Sequence, residues 1–105
     1  MVEPFPTNDT DGAGEAPPYE LRLFVTGASA NSVRAIVNLR RICETYLPGR
    51  YSLEVIDVHQ QRLLAEQEQL IALPLLVKYA PYPERRLIGD LSDTEKVLRG
   101  LGISR

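Results

Sequence analysis

The sequence predicts an α/β domain: a four-stranded mixed sheet with helices on both faces, in the order βαβαββα. Three observations predict it. Two runs of period-two alternation, at 19–26 and 51–58, flank a stretch of helical periodicity. That makes a parallel strand pair joined by a right-handed helical crossover. Two short apolar runs, at 75–79 and 85–89, are separated by a proline-rich turn and read as a hairpin. A polar stretch of helical spacing precedes the hairpin, and a capped amphipathic stretch follows it. The whole chain has 105 residues, enough for one small domain.

In YELRLFVT, Tyr19, Leu21, Leu23 and Val25 point one way and Glu20, Arg22, Phe24 and Thr26 the other. Phe24 on the second face implies that this face is partly covered too. Asn31 or Ser32 is expected to cap the first helix. Its buried stripe is read as Val33, Ile36, Val37, Leu39, Cys43, Tyr46 and Leu47. Pro48-Gly49 stops it. YSLEVIDV forms the second strand, and Asp57 near its end is expected to bond a neighbouring turn. A short amphipathic helix starts near Arg62, with Leu63, Leu64, Gln67 and Leu70 at helical spacing. Pro74 opens the third strand, where proline is tolerated. Ser92-Asp93-Thr94-Glu95 reads as a capping box, with Ser92 the cap and Glu95 reaching back to it. Val97, Leu98 and Leu101 give the last helix its buried stripe, and Gly100 and Gly102 end it.

Residues 1–18 differ from the rest. They hold Glu3, Asp9, Asp11 and Glu15, four prolines, and no Lys or Arg. Phe5 is their one aromatic side chain. Such a segment buries too little surface to offset the entropy of ordering it, so it is expected to be a disordered acidic tail. Residues 19–105 form the folded domain and hold all twelve basic residues, ten of them arginine. The apolar content of 44% and charged content of 25% are ordinary for a globular chain. Neither a membrane span nor a secretory signal is visible, so a cytoplasmic protein is expected.

The element order is that of the thioredoxin fold. There the turn after the first strand would carry a nucleophilic cysteine, and the proline opening the third strand is usually cis and faces that turn. Here the turn reads Gly27-Ala28-Ser29-Ala30-Asn31-Ser32. The single cysteine, Cys43, lies well along the helix and reads as a packing residue. One cysteine excludes an internal disulfide or a Cys-x-x-Cys pair. With one His and one Cys there is no metal-ligand spacing. No phosphate-cradling glycine motif is present, and no cofactor is expected. A glutathione- or thiol-using enzyme finds no thiolate in the turn. The Arg34/Arg40/Arg41 and Arg85/Arg86 groups lack interleaved aromatics, which weighs against nucleic acid.

Longer motifs carry a resemblance. N-S-V-R-A at 31–35, Y-x-L-x-V-I-D-V at 51–58, L-A-E at 64–66, Ile71-Ala72 with Pro74, and R-R-x-I-G-D-L-S-D-x-E-K-V-L-x-G-L at 85–101 are similar to the KaiB family of circadian clock proteins. The resemblance covers about residues 19–102. It implies a non-enzymatic regulator that binds the ring of KaiC, a RecA-like autophosphorylating ATPase hexamer, and in clock systems then captures KaiA. It also implies a metamorphic fold, with a tetramer-forming alternative of order βαββααβ, so dimers or tetramers are compatible.

By resemblance, Arg22, Arg34, Lys78 and Arg86 match basic positions linked to partner binding or assembly. Tyr19, Pro74, Ser92, Glu95, Gly100 and Gly102 are the positions expected to determine the fold. Glu54 replaces a lysine near the KaiA contact, which makes KaiA binding doubtful, and Gln69 replaces a lysine associated with KaiC contact. The family's acidic C-terminal tail is not matched; with the capping box and the glycine-rich end of the last helix, this leads us to expect the thioredoxin-like form to be populated more here than in clock members. The alternative reading is a sensory or competitor module for a histidine-kinase pathway or stress response, without redox activity.

Overall fold

A computed structural model describes residues 18–68 and 72–103. The elements are β1 (Tyr19–Val25), α1 (Ala30–Tyr46), β2 (Tyr51–Asp57), α2 (Arg62–Gln67), β3 (Leu75–Ala80), β4 (Arg85–Ile88) and α3 (Thr94–Leu101). The expected order βαβαββα is therefore the observed one. The sheet order is β2-β1-β3-β4, with β1 parallel to β2 and antiparallel to β3, and β3 antiparallel to β4. The Leu73–Pro74 peptide is cis, as are Ala80–Pro81 and Tyr82–Pro83. Of the segment expected to be disordered, all but the exposed Pro18 lies outside the described residues, as do Gln69, Leu70 and Ile71.

Period-two alternation divides the core. Tyr19, Leu21, Leu23 and Val25 face the larger cluster, with Leu39, Ile42 and Cys43 of α1 and Val97, Leu98 and Leu101 of α3. Phe24 turns the other way into a smaller cluster with Ile56, Leu75 and Val77, against which Leu64 and Leu73 pack. The second face is thus covered where α2 lies, as Phe24 implied.

Four local expectations are corrected. The cap of α1 is Ser29, whose Oγ accepts the Ser32 N–H at 3.2 Å. Neither Asn31 nor Ser32 caps, because both lie inside the helix. The buried residues of α1 are Ser32, Ala35, Leu39, Ile42 and Cys43, whereas Val33 and Val37 are 47% and 59% exposed. The stripe is rotated because Ser32 is drawn inward: its hydroxyl accepts from the Thr26 N–H at 3.2 Å and from Ser29 Oγ at 2.9 Å.

At α3 the cap is Asp93, accepting from the Lys96 N–H at 3.2 Å. Ser92 instead gives its N–H to Asp90 Oδ1 at 3.1 Å. Gly100 lies within the helix and does not end it. A Cβ there would lie 2.7 Å from the Leu87 methyl groups, so a larger residue would make the Leu87 side chain shift. Gly102 does end the helix, in the left-handed region at φ 77°. Its N–H bonds Arg99 O, and the Ile103 N–H bonds Leu98 O at 2.9 Å. These two bonds form a Schellman motif, with Ile103 packed on the core.

Candidate functional site

The turn after β1 is closed by hydroxyl groups. Ser29 and Ser32 bond to each other, to Thr26 and to the helix start. Asp57, at the end of the neighbouring β2, accepts the His59 N–H at 2.9 Å, the turn role expected of it. The single thiol is elsewhere: Cys43 is fully buried. Burial, aided by the nearby Glu44 carboxylate and opposed by Arg40, pushes it from its ordinary value of 9.0 to about 12. A group raised on folding stabilises the fold fully below its unfolded value and loses that contribution as pH rises through the folded value. Cys43 therefore favours the fold below pH 9.0, and that contribution disappears as pH rises through about 12. Iodoacetamide at pH 8 is expected to leave the native thiol unmodified and to label it once urea unfolds the chain. Rapid native labelling, read by intact mass, would refute this burial.

The arginines singled out by resemblance lie on two faces. Register places Glu54, Arg22, Val77 and Arg86 in one row across all four strands, on the face that α2 only partly covers. Arg22 Nε pairs with Glu54 Oε1 at 3.3 Å, and its guanidinium lies 5.3 Å from the Tyr79 ring centroid. A register shift between Glu20 and Leu21 leaves Tyr79 as the extra residue of β3, a bulge that sets this ring beside Arg22. The Tyr79 hydroxyl is buried without a hydrogen-bond partner among the described residues. Burial first, then the Glu68 side chain, pushes it up to about 12. An open cleft of about 440 Å³ lies here, lined by Glu20, Arg22, Ser52, Glu54 and Tyr79.

Arg86 completes the row. It donates to Glu68 Oε1 at 2.9 Å and to Glu68 O at 3.1 Å, and its Nε lies 3.6 Å from Glu84. A two-point guanidinium contact holds the end of α2 against β4. Arg34 stands apart on α1, bonding Asn31 Oδ1 and, at 3.3 Å, Asp90 Oδ2. Asn38 Nδ2 reaches Asp90 O at 2.9 Å. Hydrogen bonds from Ser92 first, and then Arg34, hold the Asp90 carboxyl below its usual range.

Lys78, matched by resemblance to a position of partner binding or assembly, is buried. It is 3% exposed, with Nζ 3.4 Å from Leu101 O and 5.9 Å from the Tyr19 ring centroid. Its parity on β3, opposite Leu21, turns it into the larger core. Burial lowers its pKa, with Arg85 adding to the effect. Lys78 and Tyr19 together tie the end of α3 to the sheet. Sequence reading missed Asp90, Glu68 and Tyr79 as partners of the arginines. Only Tyr79 left a signal, in its parity with Leu75 and Val77. Among the described residues no group of His, Cys, Asp and Glu is arranged to hold a metal, and no helix is long and apolar enough to cross a membrane.

Comparisons with known proteins agree with this geometry. The N-terminal domain of Synechococcus elongatus SasA superposes with a TM-score of 0.67 at 28% identity, covering 90% of this chain and 93% of that one. Chloroplastic thioredoxin z superposes with a TM-score of 0.66 at 19% identity over 81% of this chain and 79% of its own, a likeness of fold alone. The circadian clock oscillator protein KaiB of Synechococcus sp. RCC307 is 52% identical over 85 residues, 81% of this chain and 77% of that protein. The circadian clock protein KaiB3 of Synechocystis sp. PCC 6803 is 49% identical over 83 residues, 79% of this chain and 81% of its own. The KaiB domain family matches residues 22–103. The chain therefore belongs to the KaiB family, in its thioredoxin-like form, and is by that kinship a clock-type regulator.

Proposed function

We propose that this protein is a non-catalytic adaptor that docks on a KaiC-type RecA-like ATPase ring and modulates its phosphorylation or signalling output. One observation carries the reading: on a thioredoxin-like scaffold of KaiB kinship, the turn that would carry a thiol is closed by Ser29 and Ser32, and Cys43 is sealed in the core. Surface recognition is what remains to the scaffold. Arg34 and Arg86, each partly exposed and held by a carboxylate, are the anchors. Their guanidinium forks suit a partner's carboxylates. Glu54, already paired with Arg22, disfavours a KaiA-type partner suited to lysine. Arg22, Lys78 and Gln69 complete the contact set in this proposal, with Lys78 acting from inside by holding α3. We place the protein in the cytoplasm, with self-association as a competing state of the same surfaces.

Arg34→Glu and Arg86→Glu are each expected to weaken binding to the cognate KaiC homologue about thirtyfold, the ~2 kcal/mol of an interface hot spot. Surface immobilisation of the ATPase and titration of each variant checks this. Unchanged affinity in both variants, or Cys43-dependent disulfide reduction by the parent protein, would refute the adaptor reading.

The likeness of fold to the SasA N-terminal domain fits the alternative, a sensory or competitor module for a histidine-kinase pathway or stress response, without redox activity. Displacement of a histidine kinase's sensory domain from an ATPase ring by this chain would favour it.

A further inference from the structure

The rotation of the α1 stripe leaves an unpartnered surface. Val33, Val37, Arg40 and Arg41 recur at i, i+4, i+7 and i+8, and so share one exposed face of the helix. The two valines are 47% and 59% exposed. Neither Arg40 nor Arg41 has a carboxylate partner among the described residues. Glu44, the acidic residue on this face, accepts the Tyr51 hydroxyl. The face is thus apolar toward the start of the helix and cationic toward its end.

We propose that the acidic segment 1–17 of the same chain docks along this face. Its four carboxylates with no basic residue match Arg40 and Arg41, and Phe5 matches Val33 and Val37. The point of attachment fits. Pro18 leads into Tyr19, whose N–H bonds Arg50 O at 2.9 Å, so the segment joins the domain just past the C-terminal end of α1. The 17 residues of α1 span about 26 Å at 1.5 Å per residue. A 17-residue extended chain reaches up to about 56 Å, enough to run back along all of α1. The other candidate surfaces fit less well. Arg86 is already engaged by Glu68 and Glu84, and the cleft beside Arg22 carries Glu20 and Glu54, which repel an acidic segment.

A nitroxide attached to Thr7→Cys in the full chain tests this, with Cys43 left in place inside the core. Paramagnetic broadening is expected at the amides of Val33, Val37, Arg40 and Arg41, and not at Arg85–Ile88. It should largely vanish at about 1 M salt, where the screening length is about 3 Å. It should also vanish in the Arg40→Glu/Arg41→Glu variant and when Glu3, Asp9, Asp11 and Glu15 are replaced by their amides. Broadening centred on β4, broadening that survives charge reversal, or none above the random-chain level would overturn the proposal. So would broadening of an unlabelled, ¹⁵N-enriched copy mixed with the labelled one, which would assign the segment to a second molecule. The measurement is made without any ATPase, so its failure leaves the adaptor reading untouched.

Discussion

Replacing Phe24 with alanine is expected to lower the unfolding free energy by about 3–5 kcal/mol, a large share of the ~5–15 kcal/mol available to a small domain. Phe24 is fully buried and forms the centre of the smaller core with Ile56, Leu75 and Val77. Register places it between Ile56 and Leu75, and Leu64 of α2 packs against the same cluster. The substitution removes the ring and leaves a cavity that three strands cannot collapse to fill. It also loosens α2, and with it Glu68, the residue that holds Arg86. Urea unfolding measures the stability loss. Leu63→Ala is the control, since Leu63 lies on the same helix but is 69% exposed, and its change should stay within about 0.5 kcal/mol. Equal effects from the two substitutions would mean that α2 is not docked as described.

Leu101→Ala is expected to destabilise by about 2–5 kcal/mol. Leu101 is fully buried in the larger core, and its carbonyl accepts from Lys78 Nζ at 3.4 Å. The residue also precedes the Schellman turn at Gly102 and Ile103. The substitution keeps that carbonyl but removes the side-chain packing that positions it, so the seat of Lys78 loosens as well. Local opening of α3 should rise with it. Hydrogen exchange at Val97 and Leu98 is expected to accelerate more than exchange at Leu39 of α1. Uniform acceleration across both helices would show instead that α3 unfolds only with the whole domain.

The strands were legible because period-two alternation assigns each side chain to a face, and Leu21, Leu23 and Phe24 obeyed it. The turn role of Asp57 and the burial of Cys43 were legible for similarly local reasons. The face of α1 was not. Residues 32, 35, 39, 42 and 43 make a helical stripe as regular as the one through Val33 and Val37, and hydropathy favours the valines. What decided between them was Ser32, whose polar group is satisfied inside the turn by Ser29 and Thr26. Capping of α3 was ambiguous for a related reason. Ser92 and Asp93 are both able caps, and the contact from Ser92 N–H to Asp90 left Asp93 in that place.

The candidate surface was legible only as a set of arginines. Their partners come from other elements: Asp90 lies 56 residues from Arg34, and Glu68 lies 18 from Arg86. No local pattern encodes such pairs. Lys78 was read by its charge, whereas its parity with Leu76 placed it inside. Gly100 was read as a helix end, yet it lies inside α3, where a Cβ would crowd the Leu87 side chain.

The placement of α3 fixes the seat of Lys78, the packing of Leu101 and the approach to β4. Backbone chemical shifts and cross-strand contacts of the full chain in solution test that placement most directly. Helical shifts across 94–101, together with β3–β4 contacts pairing Val77 with Arg86, are the predicted result. Continuous extended shifts across 96–103 in the dominant state would contradict it.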